Sequence, residues 1–247
     1  MKIMNSEYKN IKRDAHTAVL FIHGILGTPR HFDFLLPLVP DSWSAWSILL
    51  PGHGGTYSDF AESSMDMWKA YCEEALLELY ESHRRVILVG HSMGTLLSVY
   101  LAKKHPDKVS EIFALAMPLC PHFTPVAMAG CLHLLFSSPD KAKGYFRSCH
   151  EACSIALTKN LFAYLRWIPR YLELFALAWE TREIMSTLSA HCIAIQSRRD
   201  ELVAFRSIKY TGNAETMVLP HSRHYYYSKW DRKTIEESFL KFINRLT

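Results

Sequence analysis

The stretch Arg85-Val86-Ile87-Leu88-Val89-Gly90-His91-Ser92-Met93-Gly94 constrains this chain more than any other, because an apolar strand runs straight into a helix. Thr95-Leu96-Leu97-Ser98-Val99-Tyr100-Leu101-Ala102 follows at once as that helix. So sharp a reversal brings the residues two before and two after its apex against each other. Only small side chains fit there, and both positions are glycine. The turn lifts the Ser92 hydroxyl above the sheet. It also sets Ser92 at a helix N-terminus, whose unpaired N–H groups and dipole favour developing negative charge.

The rest of the chain repeats the alternation of strand and helix. Thr17–Ile22 is a continuous apolar run, the pattern of a strand buried on both faces. Thr28 to Val39 reads as a short helix, with Thr28 as its cap and Pro29 in the first helical position. Trp46–Leu50 is a second strand, closed by the turn-rich Pro51-Gly52-His53-Gly54-Gly55-Thr56. Met65 to His83 has apolar residues at helical spacing. Val109–Met117, His191–Gln196 and Glu215–Leu219 read as further strands. Lys229–Leu246 reads as a closing amphipathic helix, with Trp230, Ile235, Phe239, Phe242, Ile243 and Leu246 on one side.

Such an alternation predicts an α/β fold, a mainly parallel sheet covered on both faces. Leu119 to Ala190 breaks the rhythm with helical signals and no convincing strand. It reads as a helical cap inserted over the carboxyl ends of the strands, where open α/β sheets bind ligands. The expected organisation is therefore a core of 1–118 and 191–247 with a cap at 119–190, within the span of one large domain plus an insertion.

Several functional classes are disfavoured. The net charge of +4 is spread over short pairs such as Arg84-Arg85, Lys103-Lys104 and Arg198-Arg199, which is no footprint for nucleic acid. Met1 to Lys9 holds no apolar signal core, so the six cysteines are expected to be reduced thiols of a cytoplasmic protein. Cys149 and Cys153 would share a helix face, but no second ligand pair matches their spacing, so neither metal nor cofactor is expected. The aromatic-rich run from Leu161 to Ala178 is interrupted by Arg166, Pro169, Arg170 and Glu173, which argues against a membrane span.

A serine hydroxyl is a poor nucleophile unless a base lies in hydrogen-bond reach and a third group orients that base. Asp200 falls just past the strand at 191–196, and His224 just past the next, giving the chain order Ser92, Asp200, His224. Glu201 is the rival acid and His221 the rival base; the shorter side chain favours Asp200, and the longer loop favours His224. Two N–H donors are needed for the oxyanion. Met93 supplies one, and Ile25, in His23-Gly24-Ile25-Leu26-Gly27 after the first strong strand, supplies the other. The His23 side chain reads as a structural hydrogen-bonding group.

Taken together, His23-Gly24, Leu50-Pro51-Gly52-His53-Gly54, Gly90-His91-Ser92-Met93-Gly94, Arg199-Asp200 and His224 resemble the α/β-hydrolase family. They are most similar to bacterial carboxylesterases and monoacylglycerol-lipase-like enzymes. The resemblance covers the core and implies an ester hydrolase working through an acyl-enzyme, with a helical cap over an apolar acyl pocket. That group often carries glycine directly before the catalytic histidine, whereas this chain has Arg223.

Gly24, His53, Trp167 and Tyr171 are the residues expected to meet substrate. The aromatic stretch Phe162 to Trp179 is expected to pack with one face and line the acyl pocket with another; a dimer through the cap is the further possibility. The expected ligand is a small ester with an apolar acyl or aryl group. Thioesterase, acyltransferase and carbon–carbon hydrolase chemistry use the same triad and stay open, as does a binding module that has lost catalysis.

Overall fold

The computed structural model describes residues 6–247; the N-terminal reading falls in part on residues 1–5, outside them. The strands are β1 (Tyr8–Asn10), β2 (Thr17–Ile22), β3 (Ser44–Ile48), β4 (Arg85–His91), β5 (Val109–Leu115), β6 (His191–Ser197) and β7 (Glu215–Leu219). They form one sheet in the order β1-β3-β2-β4-β5-β6-β7. Among the described strands of this sheet, only the β1–β3 pairing is antiparallel.

The helices are α1 (Tyr57–Glu62), α2 (Met65–Ser82), α3 (Met93–Lys104), α4 (Pro125–Phe136), α5 (Gly144–Ala152), α6 (Ile168–Met185) and α7 (Lys229–Asn244). Alternate residues of the strands feed two separate cores, as a pleat requires. Ala18, Leu20, Val86, Leu88 and Ile112 pack beneath α2, α3 and α6. Val19, Phe21, Ile87, Val89 and Phe113 pack on the opposite face with Phe239 and Phe242 of α7. This double covering explains the unbroken apolar runs seen in the sequence.

Two local expectations differ from the structure, and one strand was not expected. Residues 28–39 form two 3-10 turns, Pro29–Phe32 and Leu36–Leu38, rather than one helix. Thr28 does cap the first, its side chain accepting from Arg30 N–H. Pro37 prevents continuation, since it has no N–H to donate and its ring would strike the carbonyl four residues back. Trp230 stands 79% exposed on the first turn of α7, not on its apolar face. The short strand β1 went unread because its three residues are all exposed and carry no apolar signal.

Helices α4, α5 and α6 lie in the segment between β5 and β6. That segment is docked by polar contacts as well as by packing. Trp167 Nε1 donates to the Tyr57 carbonyl at 2.8 Å, and Glu173 accepts the Met65 N–H at 3.0 Å, at the start of α2. Arg170 donates to the carbonyls of Ala61 and Ser63 and pairs with Glu173. Leu165, Ile168, Leu172 and Trp179 recur at helical spacing on the outer side and are exposed, a third kind of face beside the packed one and the pocket-lining one. No helix among the described residues is long and apolar enough to cross a membrane.

Candidate active site

Ser92 sits between the last residue of β4 and the first of α3, with φ 51° and ψ −124°. That conformation is costly for any residue with a Cβ and persists only where the surroundings impose it. They do so here. Ser92 N–H is held by the Leu115 carbonyl at 2.9 Å, and Thr95 bonds back to the Ser92 carbonyl through both its N–H and its hydroxyl. The flanking glycines have no room to be anything else. A Cβ on Gly90 would lie 2.7 Å from the Gly94 carbonyl, and one on Gly94 would lie 1.9 Å from the Ile22 oxygen.

His224 and Asp200 meet behind this turn. The His224 Nδ1–H lies 2.9 Å and 3.1 Å from the two Asp200 carboxylate oxygens. Asp200 is fixed in turn: Oδ1 accepts the N–H groups of Leu202 and Val203 at 2.9 and 2.8 Å. With Nδ1 spoken for, Nε2 is the nitrogen left to take a proton. The Glu201 carboxylate, Asp200's sequence rival, instead accepts the main-chain N–H of His224 at 3.3 Å. His221 is exposed, and its N–H is tied to Asp231 on α7, so it stands apart from the pair.

Five histidines cluster here, and their electrostatics separate one from the rest. Burial pushes His23 down to about 4 and His31 down to about 3. It also holds His53 and His91 well below the usual value. Burial opposes the charged form of His224 as well, but the Asp200 carboxylate beside it, with Glu201 behind, overcomes that and raises its proton affinity. Four histidines held neutral therefore contrast with one that is built to hold a proton. His91 Nε2 contacts the His224 carbonyl at 3.1 Å and His31 stacks on His91, so the neutral rings also brace the loop.

The loop after β2 passes close to Ser92. A Cβ on Gly24 would fall 2.8 Å from Ser92 Cβ, so glycine is what permits the approach. His23 and His53 shape this loop from behind. His23 takes the Leu50 N–H on Nε2 and faces the Gly24 carbonyl through Nδ1. His53 Nε2 takes the Leu26 N–H at 3.1 Å. The Gly27 N–H bonds to the Gly24 carbonyl, leaving Ile25 N–H with no acceptor among the described residues. Met93 N–H is the first of α3 and has no acceptor within its helix.

Ser92, His224 and Ile25 line a cavity of about 590 Å³ between the strand ends and the helices from α4 to α6. Trp167 and Tyr171 line it too, with Leu134, Leu157, Leu174 and Phe175. The size suits a small organic ligand. His53 does not reach this wall; it is buried against His23, Phe60 and Trp68. Residues that the sequence reading did not single out for the site also belong here. Tyr145, Cys149 and Cys153 come from α5 and its C-terminal end, and His122 Nε2 contacts the Asp200 carbonyl at 3.1 Å. No spacing rule marks them, because the chain path of the inserted helices decides which of their sides turns inward.

Comparison with known proteins adds to this geometry. A family model described as the alpha/beta hydrolase family matches residues 19–233. A thermostable monoacylglycerol lipase of Bacillus sp. (strain H-257) is 36% identical over 93 residues, 36% of this chain and 36% of that protein. A pimeloyl-[acyl-carrier protein] methyl ester esterase of Neisseria meningitidis serogroup C is 37% identical over 100 residues, 40% of this chain and 36% of the relative. The chain thus spans little more than a third of the length of these relatives. A solved structure described with LipS and LipT, two metagenome-derived lipolytic enzymes, aligns with a TM-score of 0.75 at 22% identity, over 98% of both chains. At that identity the likeness speaks for the fold.

Proposed function

The chain belongs to the α/β hydrolase family, and on that premise we propose that it is a serine esterase cleaving carboxylic esters with an apolar acyl or aryl group. What carries the reading is the Asp200–His224 pair, 2.9 Å apart, whose histidine shares an apolar cavity wall with a serine held at φ 51°. The lipase and esterase named among the relatives point the same way.

In this reading His224 Nε2 takes the Ser92 hydroxyl proton as the oxygen attacks the ester carbonyl. The carbonyl oxygen gains negative charge and is met by the Met93 and Ile25 N–H groups. The tetrahedral adduct collapses, the alcohol oxygen leaves with the proton from His224, and the acyl group stays on Ser92. Water then repeats the sequence and frees the acid. Asp200 fixes the ring tautomer and stabilises the imidazolium. Residues 119–190 act as a cap whose inner side, Trp167 and Tyr171 included, holds the acyl group. The enzyme works in the cytoplasm without metal or cofactor.

The test is a p-nitrophenyl ester series of increasing acyl length. The reading expects turnover that rises with chain length until the cavity is filled, and loses it in Ser92→Ala. Turnover unaffected by that substitution contradicts it.

A further inference from the structure

The loop after β6 and the loop after β7 are joined at more than the Asp200–His224 pair. Asp200 meets His224, and the next residue along one loop meets the residue before on the other. Glu201 Oε2 lies 4.0 Å from Arg223 Nη1. Glu201 is almost fully buried, its Oε1 has no hydrogen-bond partner, and its Oε2 also accepts the His224 N–H at 3.3 Å. Arg223 is anchored at its main chain by the Tyr226 carbonyl and by the Ser197 hydroxyl. Its guanidinium lies 5.3 Å from the ring centre of Tyr145 on α5. One arginine therefore touches the acid loop, belongs to the base loop and reaches the inserted helices.

A buried carboxylate is costly unless charge or hydrogen bonds compensate it. Glu201 is only partly compensated, and the group it supports is the backbone of His224. We propose that Glu201 and Arg223 are positioning residues: a second acid–base pair, parallel to Asp200 and His224, that fixes the two loops against each other and sets the charge around the base. This rests on the esterase reading above. Glu201 favours the protonated imidazole that forms as Ser92 attacks, and Arg223 offsets part of that effect.

The other groups facing His224 do not supply the same control. Asp200 meets its ring from the loop after β6. His91 faces it from β4 and, like His31 behind it, stays neutral because burial holds its proton affinity down. Tyr225 packs on it from its own loop, with its phenol held protonated by burial. Beyond Asp200, Glu201 is thus the charge that acts on the base, and Arg223 acts on it through Glu201.

The experiment is the pH profile of kcat/KM for one p-nitrophenyl ester in the unsubstituted protein, Glu201→Gln, Arg223→Gln and the double variant. Glutamine at 201 keeps an acceptor for the His224 N–H but removes the charge. Its acidic limb should move down by about one pH unit, the size expected for a charge near the base. Arg223→Gln should move the limb up by less, and the double variant should fall between the two. Limbs that stay in place, or that both move the same way, overturn the proposal. If Glu201→Gln does not fold, Arg223→Gln decides alone: an upward shift supports the pair and none overturns it. A protein inactive on every ester, with Ser92 unlabelled by a fluorophosphonate, overturns the esterase reading itself and the proposal with it.

Discussion

Replacing Gly94 by alanine tests how the nucleophile turn is built. The added Cβ would lie 1.9 Å from the Ile22 oxygen, 2.6 Å from the Ile22 carbonyl carbon and 2.8 Å from the His23 oxygen. Ordinary contact begins near 3.4 Å, so the first atom is about 1.5 Å too close. All three obstacles are backbone, and Ile22 is pinned by pairing with Ile48 on one side and Gly90 on the other. No side-chain rotation relieves the clash. Overpacking of a core costs about 1–3 kcal/mol; with rigid backbone on both sides, about 3 kcal/mol is the reasoned figure.

For a domain of this size that corresponds to a fall in Tm of about 6–12 °C. The displaced segment leads directly into Gly24 and Ile25, so the folded fraction should also lose about 100-fold in kcat, as when one oxyanion donor is misplaced. Gly144→Ala is the control. Gly144, unlike Gly94, has positive φ, at 53°, but a Cβ there meets nothing within 4 Å. It should cost only the conformational strain of about 1–2 kcal/mol and leave turnover intact. Thermal denaturation at one scan rate with parallel esterase assays reads both. A Gly94→Ala protein as stable and active as its parent would refute the steric account of the turn.

Two further outcomes follow from the same geometry. Asp200→Asn keeps the shape but cannot hold the Nδ1–H tautomer, so kcat should fall by roughly 10⁴ with KM little changed, measured on one ester. Because His224 must be neutral to act and its proton affinity is raised, kcat/KM should rise through a midpoint above the ordinary histidine value of 6.5; a midpoint below it in a pH titration contradicts the assigned charge environment.

The core of this fold is written in local patterns that physics reads easily. Strands buried on both faces have no polar side to show, so Thr17–Ile22 is visible to the residue; Glu215–Leu219 was read with the same bounds although only its last residue is buried. Gly90 is small for the steric reason read from the sequence, since a Cβ there would meet Gly94, whereas Gly94 is small because the backbone of Ile22 and His23 passes beside it. The chain order also brought out Asp200 and His224, because both fall just past strand ends. What escaped lies where local sequence is weak. An exposed three-residue edge strand carries no pattern, and Pro37 outweighed the helical spacing around it.

His53 shows another limit. It was expected to meet substrate, yet it is turned inward to hold Leu26 N–H. The inserted helices were the hardest to read. Tyr171 and Phe175 line the cavity while Leu172 and Trp179 of the same helix face outward, and an apolar residue type does not distinguish the two.

The central claim is that Ser92 is a nucleophile activated by His224, and a fluorophosphonate probe tests it most directly. The account predicts one covalent adduct, mapped to Ser92 by peptide mass spectrometry, that is absent from Ser92→Ala and forms far more slowly in His224→Ala. Labelling at another residue, or none in a folded protein active on esters, would contradict it.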